Sequence, residues 1–255
     1  MATRQDLRPI WTQPEPGKRA PRLSREQIAA AALRVADAEG FAAVSMRRVA
    51  QELEAGTMSL YHYVRTKEDL VALMDDALMG EVVLDDSALP AGWRAGLMAI
   101  AAHTRAVFVA HPWAFGALHG AGPGPNAMRH FEQCLSTLKD TGCTPAHKMV
   151  ILAAVDDFVF GNLQRSRDSV FARNACEPDL EEARQAALAF GKTQLDNGAF
   201  PHTRAMLVGA DDEAAWAVLA QATSSAERFT IGLECLLAGI AARFPMDPAP
   251  DDAAR

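Results

Sequence analysis

The stretch Gly56-Thr57-Met58-Ser59-Leu60-Tyr61-His62-Tyr63-Val64-Arg65-Thr66-Lys67 has the pattern of a very short helix followed by the capped start of another. So short a helix buries little of its own surface, and its outward side chains therefore need a partner. A phosphate backbone suits residues 61–63, whose polar groups can hydrogen bond to phosphate oxygens, while residues 57–59 can face base edges. The stretch predicts a helix that reads DNA. The alternative is that both tyrosines are ordinary core aromatics.

The residues before this stretch complete a helix-turn-helix. Ser24 and Gln27 have the spacing of a capping box, and the helix that they start ends near Gly40. Ser45 caps a second helix, and residues 54–56 form the tight turn before the short helix.

A fourth helix begins directly after the stretch. Thr66, with Asp69 three residues later, is its predicted cap. Lys67 then lies in the first turn, where free backbone N–H groups and the helix dipole already favour an anion.

Three segments carry a resemblance to a known family: Ser-Met-Arg-Arg-Val-Ala at 45–50, Leu-Tyr-His-Tyr-Val at 60–64 and Thr-Lys-Glu-Asp-Leu at 66–70. They resemble the signature of the TetR family of bacterial transcriptional regulators. The residues that the resemblance implies near base edges are Arg47, Thr57, Met58 and Ser59. Those that it implies at phosphates are Ser45, Tyr61, His62, Tyr63 and Lys67. Met58 is bulkier than the small residue or proline often found there, so the operator sequence is not implied.

Charge divides the chain into two parts. Residues 1–70 hold 11 Lys and Arg against 9 Asp and Glu, whereas the remainder holds 14 against 23. The acidic part will not bind DNA, so we expect DNA binding to be confined to the first part. Acidic residues that simply keep a large surface soluble would explain the second part equally well.

The chain ends and the cysteines indicate a cytoplasmic protein. Residues 1–23 are rich in proline and basic residues without the apolar core of a signal peptide, and we expect a disordered arm there. No run of about 18 apolar residues predicts a transmembrane helix. The four cysteines lack any Cys-x-x-Cys pair, which favours reduced thiols over a zinc site.

Beyond residue 70 the sequence predicts helices. Pro90 and Pro112 bracket one, residues 127–138 form another, and Pro145 opens a third that runs to about Arg167. Residues 168–212 have little periodicity, so we expect broken helices and loops there.

The last helix has an apolar stripe, with glycines that allow another helix to approach closely. Such a stripe is usually the core of a single subunit. The segment 229–240 nevertheless resembles the last helix of tetracycline-repressor-like members, which implies a four-helix bundle with a second copy, formed together with the helix near 146–167. The predicted interface residues are Phe229, Leu233, Leu236, Leu237, Gly239 and Ile240.

A small-molecule site is the remaining feature that the resemblance implies. A largely apolar pocket with a few polar groups suits such a ligand. The candidate residues are Ile100, His103, Thr104, Trp113, His119, Phe131, Phe158 and Asn162. Taken singly, each is more often a packed core residue.

Enzymes form the competing class. Two histidines and the pair Asp156 and Asp157 could supply acid and base groups, but no nucleophile motif, cofactor loop or metal signature accompanies them. A ligand-binding protein with a vestigial helix-turn-helix is a third class.

The sequence therefore predicts an all-α homodimeric repressor that a largely apolar small molecule releases from palindromic operator DNA, with no catalytic, cofactor or metal site. Residues 24–70 would bind DNA, residues 71–245 would bind the effector and dimerise, and residues 246–255 would be a disordered tail.

Overall fold

The computed structural model describes residues 9–13, 23–117, 123–174, 178–206 and 226–247. Helices are the regular elements in these ranges and none is a strand, so the predicted all-α class is confirmed. In chain order the α-helices are α1 (Arg25–Glu39), α2 (Met46–Glu52), α3 (Thr57–Leu60), α4 (Lys67–Val82), α5 (Trp93–Ala110), α6 (Ala114–Ala117), α7 (Pro125–Thr137), α8 (Pro145–Asn174), α9 (Pro178–Asp196), α10 (Pro201–Met206) and α11 (Ala226–Arg243).

Side-chain caps begin α1, α2 and α4, as predicted. Ser24 Oγ accepts from the Gln27 backbone N–H at 3.2 Å, and the Gln27 side chain accepts from the Ser24 N–H at 2.9 Å. Ser45 Oγ accepts from the Arg48 N–H at 3.2 Å. Thr66 Oγ1 accepts from the Asp69 N–H at 3.0 Å. Each cap satisfies an N–H group that the first helical turn cannot pair within the helix.

One hydrophobic core joins α1, α2, α3 and α4. It is built from apolar side chains that recur at helical spacing on α1 and α4 and from the few that the shorter helices can supply. Its central members are Ile28, Val35, Val49, Leu60, Val64, Leu70 and Met74.

A 3-10 helix at Ile10–Thr12 packs onto this core. Ile10 is buried, and the guanidinium of Arg25 donates to the carbonyls of Ile10 at 3.0 Å and Gln13 at 3.1 Å. The expected disordered arm is therefore wrong for residues 9–13, because an apolar anchor and a buried donor fix them. Residues 1–8 and 14–22 lie outside the described ranges.

Hydrogen bonds tie α4 to α7. Asp76, buried on α4, accepts from the backbone N–H groups of Asn126 at 2.8 Å and Ala127 at 3.2 Å, in the first turn of α7. The Gln133 side chain accepts from the Leu84 N–H and donates to the Leu84 carbonyl. α4 is thus one element through which the helix-turn-helix meets the later helices.

Proline marks several helix boundaries where the sequence predicted them. α5 lies between Pro90 and Pro112, and Pro145 begins α8. α7 begins at Pro125, two residues before the predicted start at residue 127. α8 runs beyond the predicted end at Arg167 to Asn174. The expected broken helices are wrong for 178–196, since α9 is continuous there. Its alanines, glutamates, glutamines and leucines favour a helix by intrinsic propensity, without a regular apolar period.

The chain divides into two compact units, one formed by residues 1–160 with 237–255 and the other by residues 161–236. The first unit contains both the helix-turn-helix and α4–α7. The predicted boundary near residue 70 stays a prediction. None of the described helices has the length and apolar character needed to cross a membrane.

Candidate DNA-binding surface and effector region

Two buried side chains hold the short helix α3 in place. Leu60 and Val64 are fully buried in the core of the first four helices. The turn before α3 includes Glu54 at φ 50°, a left-handed conformation, and closes with a hydrogen bond from the Ala55 N–H to the Ala50 carbonyl at 2.9 Å. α3 is therefore positioned mainly by the turn before it and by the buried side chains at and just beyond its end.

The predicted base-reading residues of α3 point away from this core. Met58 has 74% of its surface exposed, Ser59 is exposed and Thr57 is half-buried. Arg47 of α2 is also exposed. Four side chains that can contact base edges thus remain accessible on α2 and α3.

The two tyrosines have different surroundings. Tyr61 is 44% exposed and His62 beside it is exposed, as phosphate contacts require. Tyr63 is half-buried and packs against the core, while its backbone carbonyl accepts from Arg25 Nε at 3.4 Å. Tyr63 thus packs partly into the core, and only part of its ring is accessible for the predicted phosphate contact.

Lys67 lies in the first turn of α4, as predicted, and is exposed. Its Nζ sits 5.8 Å from the centre of the Phe41 ring, within cation–π distance. Ser45 is exposed at the start of α2, where it also caps that helix. A cation and a hydroxyl therefore flank α3, each at a helix N-terminus that already favours phosphate.

An ion-pair network stiffens the helix-turn-helix. Arg48 contacts Glu39 at 2.7 Å and Glu52 at 3.1 Å, and Glu52 also contacts Arg34 at 3.1 Å. Hydrogen bonds from Arg34 and Arg48 lower the pKa of Glu52. The side chains of this network connect α1 to α2. Arg47, which takes no part in these ion pairs, remains the accessible arginine of α2.

The candidate effector residues do not share one environment. Ile100 and Thr104 are buried on α5, where Thr104 donates to the Ile100 carbonyl at 2.8 Å. Phe158 is half-buried. Asn162 is buried and belongs to the second unit. His119 lies outside the described residues.

Three of the candidates have surroundings that the sequence did not predict, and their place in an effector site stays a prediction. His103 Nε2 is 2.8 Å from the Glu81 carbonyl, so this histidine contacts the backbone of the last turn of α4. The Trp113 ring stacks on Phe41 at 5.9 Å, so it packs against the helix-turn-helix. Phe131 is 39% exposed on the outer side of α7. Spacing along a helix cannot reveal such partners, because they come from distant segments.

His130, one residue before Phe131, faces inward, and the sequence pattern indicated it only as an acid or base group of an enzyme and not as an effector contact. Its Nε2 is 3.7 Å from the Cys134 sulfur, and its buried Nδ1 has no hydrogen-bond partner. Burial lowers the pKa of His130, so the ring favours the neutral form. Burial, with a smaller contribution from the Asp156 carboxylate, raises the pKa of the Cys134 thiol to about 12. The helical position opposite the exposed Met128 and Glu132 could have indicated His130.

An aromatic cluster lies in the same unit. Phe160 of α8 contacts Phe108 of α5 edge to face at 5.2 Å and Phe115 of α6 at 6.0 Å. α5, α6 and α8 thus meet through aromatic faces, which are a suitable wall for an aromatic ligand.

Residues 28–74 match the family described as bacterial regulatory proteins, tetR family, and residues 87–244 match the tetracyclin repressor-like C-terminal domain. The chain belongs to the tetR family. It is a DNA-binding transcriptional regulator, and the resemblance read from residues 45–70 is confirmed.

Relatives support the assignment along most of the chain. An HTH-type transcriptional regulator of Saccharopolyspora erythraea is 36% identical over 199 residues, which cover 74% of this chain and 83% of that protein. The HTH-type transcriptional repressor DrrR1 of Streptomyces coeruleorubidus is 38% identical over 143 residues, covering 55% of this chain and 53% of that one. The structure of Streptomyces coelicolor ActR in complex with actinorhodin matches with a TM-score of 0.60 and 26% identity, covering 92% of this chain and 100% of that one.

Four of the six predicted interface residues on α11 are buried within a single chain: Phe229, Leu233, Leu237 and Ile240. Burial within one chain does not test their predicted place in a dimer interface, which stays a prediction. Leu236 is half-buried, and Gly239 is exposed with open space around its α-carbon. The accessible side of α11 instead carries Ile231, Cys235, Ala238 and Ala242.

α8 presents a comparable accessible side in the first unit. Met149 and Val150 are 51% and 56% exposed, and Ala146 and Ala153 lie on the same side of the helix. The start of α8 meets the end of α11, where the rings of His147 and Phe244 are 5.2 Å apart. The Cys143 thiol also donates to the Pro245 carbonyl at 3.5 Å.

Proposed function

We propose that this regulator is a homodimeric repressor that binds a palindromic operator in the cytoplasm and leaves it when an aromatic small molecule binds the helices after α4. The observation that carries the proposal is the accessible surface of α3, held by the buried Leu60 and Val64. A vestigial helix-turn-helix would have no need to keep apolar Met58 so exposed or to retain an exposed Lys67 at the start of α4.

The operator contacts are assigned from accessibility and chemistry. Arg47, Thr57, Met58 and Ser59 are assigned to base edges. Phosphate contacts are assigned to Ser45, Tyr61, His62 and Lys67, with Tyr63 contributing through its accessible edge. Phosphate contacts fix the position of the protein, and base contacts give sequence preference.

The dimer is proposed to form through the accessible sides of α8 and α11. Small side chains such as Ala153 and Ala238 allow helices to approach closely, while Met149 and Val150 supply apolar area. Pairing two copies would cover apolar side chains that are exposed in a single chain. It would also present two α3 helices to the two halves of a palindrome.

The effector is proposed to bind near the aromatic cluster of Phe108, Phe115 and Phe160 and the neutral imidazole of His130. Aromatic rings can stack on the cluster, and the unpaired His130 Nδ1 offers one polar contact that orients the ligand. ActR, which binds actinorhodin, supports a polycyclic aromatic as the class of ligand.

The operator proposal is tested with the full chain and a random pool of duplex DNA. We expect selection to enrich an inverted repeat with half-site centres about 34–36 Å apart or a multiple of that distance. Binding to the selected duplex should weaken steeply between about 0.05 and 0.2 M salt. Failure to enrich any sequence would overturn the operator proposal in favour of a ligand-binding protein with a vestigial helix-turn-helix.

The effector proposal uses actinorhodin as the probe. We expect it to weaken binding to the selected operator roughly 5- to 150-fold, the usual range of coupling between two sites. Phe160→Ala should reduce this response, whereas Phe190→Ala, at a phenylalanine with 66% exposure on α9, should not. Operator affinity that is unchanged by saturating actinorhodin would reject this class of ligand.

A further inference from the structure

Four side chains join the end of α5 to the helix-turn-helix, and the proposed function does not use them. His111, the residue after α5, has Nδ1 2.7 Å from the Asp37 carboxylate of α1 and Nε2 3.0 Å from the Glu81 carboxylate of α4. Trp113 Nε1 donates to the same Asp37 oxygen at 2.7 Å. We call Asp37, Glu81, His111 and Trp113 the junction cluster.

The geometry determines the protonation state of His111. An ionised carboxylate only accepts hydrogen bonds, and a neutral imidazole carries one N–H. Both ring nitrogens can therefore donate, one to each carboxylate, only in the imidazolium form. A neutral ring would turn a lone pair toward one of the two carboxylates. Asp37 and Glu81 therefore both accept a hydrogen bond from His111 only when each ring nitrogen carries a proton.

The surroundings of His111 favour that charge. Burial by itself lowers the pKa of His111, but hydrogen bonds and the charges of Asp37 and Glu81 outweigh it, so the pKa is raised. The charged groups seen to face the ring from packed elements are these two carboxylates, within the part of the chain that the structure describes. The Trp113 ring meets the imidazole at 75°, and His103 contacts the carbonyl of Glu81 and not its carboxylate.

The junction cluster is continuous with the phosphate-binding end of α4. The Trp113 ring lies parallel to Phe41 at 5.9 Å, and Lys67 Nζ lies 5.8 Å from the centre of that same ring. A change at His111 therefore has a path of direct contacts to Lys67 through Trp113 and Phe41. Glu81 provides a second path along α4 itself.

We propose that the junction cluster is a proton-dependent joint: protonated His111 holds α1 and α4 to the end of α5, and loss of the proton loosens the operator-binding helices. Operator affinity then varies with pH through a residue that does not touch DNA. The DNA part of this proposal rests on the proposed operator binding, whereas the joint itself does not.

The direction of the stability effect is set by the raised pKa. A group with a raised folded-state pKa adds stability that is complete below its unfolded pKa, here about 6.5. That stability is lost as pH rises through the folded-state pKa. The joint should therefore be closed below about pH 6.5 and should open as pH rises through the raised folded-state pKa of His111.

Thermal unfolding of the full chain tests the joint without DNA. At a pH where His111 of the wild type is protonated, His111→Gln should have a Tm roughly 2–4 °C below that of the wild type. At a higher pH, where the wild type has lost this proton, the Tm difference should be smaller. In imidazole NMR titrations, Asp37→Asn with Glu81→Gln should shift the pKa of His111 downward. A Tm difference that stays constant with pH, or a His111 pKa at or below the ordinary value, would overturn the joint.

Operator binding tests the functional consequence. The informative quantity is the ratio of the Kd values of His111→Gln and wild type, measured at the same pH. We expect that ratio to change at least about fivefold between the protonated and deprotonated ranges, which is the lower end of the usual coupling between two sites. The matched control His202→Gln, at an exposed histidine of α10, should give a constant ratio.

The outcomes separate the two proposals. If the ratio of the operator Kd values of His111→Gln and wild type stays constant with pH while the Tm difference changes, the link from the joint to DNA binding is rejected. Absence of any specific operator would reject the proposed function, while the thermal and NMR results would still decide whether the joint exists.

Discussion

Lys67 is the residue whose role in DNA binding can be tested most directly. It is exposed in the first turn of α4 and lies over Phe41. Lys67→Ala should weaken binding to specific and random DNA by a similar factor, and reduce the salt slope by about 0.9 because one phosphate is no longer neutralised. Lys139→Ala, at an exposed lysine after α7, is the control. An unchanged slope would remove Lys67 from the phosphate contacts.

Thr57 should affect sequence preference instead of general affinity. Its side chain lies at the start of the accessible face of α3, and base-edge contacts are worth about 1–3 kcal/mol each. Thr57→Ala should therefore relax the preference at one base pair while random DNA is bound as before. Repeating the selection from a random pool measures this, and recovery of the same site with the same stringency would contradict it.

The partners of individual side chains were the least predictable features of the sequence. The capping residues Ser24, Ser45 and Thr66 act within three residues of themselves, so their spacing was sufficient to identify them. His103 and Trp113 were assigned to the effector region, yet they contact Glu81 and Phe41 from segments distant in the sequence. One sequence contains no record of which distant carbonyl or ring a side chain meets.

At the scale of elements, Asp76 is the most consequential contact between α4 and α7. Asp76→Ala would leave two backbone N–H groups at the start of α7 without their acceptor, at a cost of about 1–3 kcal/mol each if no water replaces it. We expect a fall in Tm of several degrees, and a smaller fall for Asp76→Asn, which keeps an acceptor oxygen. Equal Tm values for Asp76→Ala and wild type would show that this cap does not stabilise the fold.

Helix positions were predictable where a physical signal is local. Prolines and caps defined the starts of α1, α2, α4 and α8, whereas α7 begins at Pro125, which lies outside the predicted helix. α9 was missed because its signal is composition and not periodicity. For α11, periodicity correctly identified an apolar stripe, but the stripe alone does not distinguish a surface covered by the same chain from one covered by a second copy. Leu233 and Leu237 are covered by their own chain.

At the scale of the whole molecule, the proposed dimer is open to a charge-insertion test. Ala238→Arg would place an unpaired charge between two subunits, which is costly when buried, while leaving the buried stripe of α11 unchanged. We expect sedimentation at micromolar concentration to show a folded monomer. Ala106→Arg, at an exposed alanine of α5, should remain dimeric. A dimer that survives Ala238→Arg would move the interface to another surface.

The short recognition helix has a consequence for how such a regulator can change over time. Met58 and Ser59 are exposed, Thr57 is half-buried, and the helix that carries them is held by Leu60 and Val64. Replacements at accessible positions usually alter stability by no more than about 0.5 kcal/mol. A library randomised at these three positions should therefore consist mostly of folded proteins. After a gene duplication, the two copies could then drift to separate operators without either passing through an unstable intermediate.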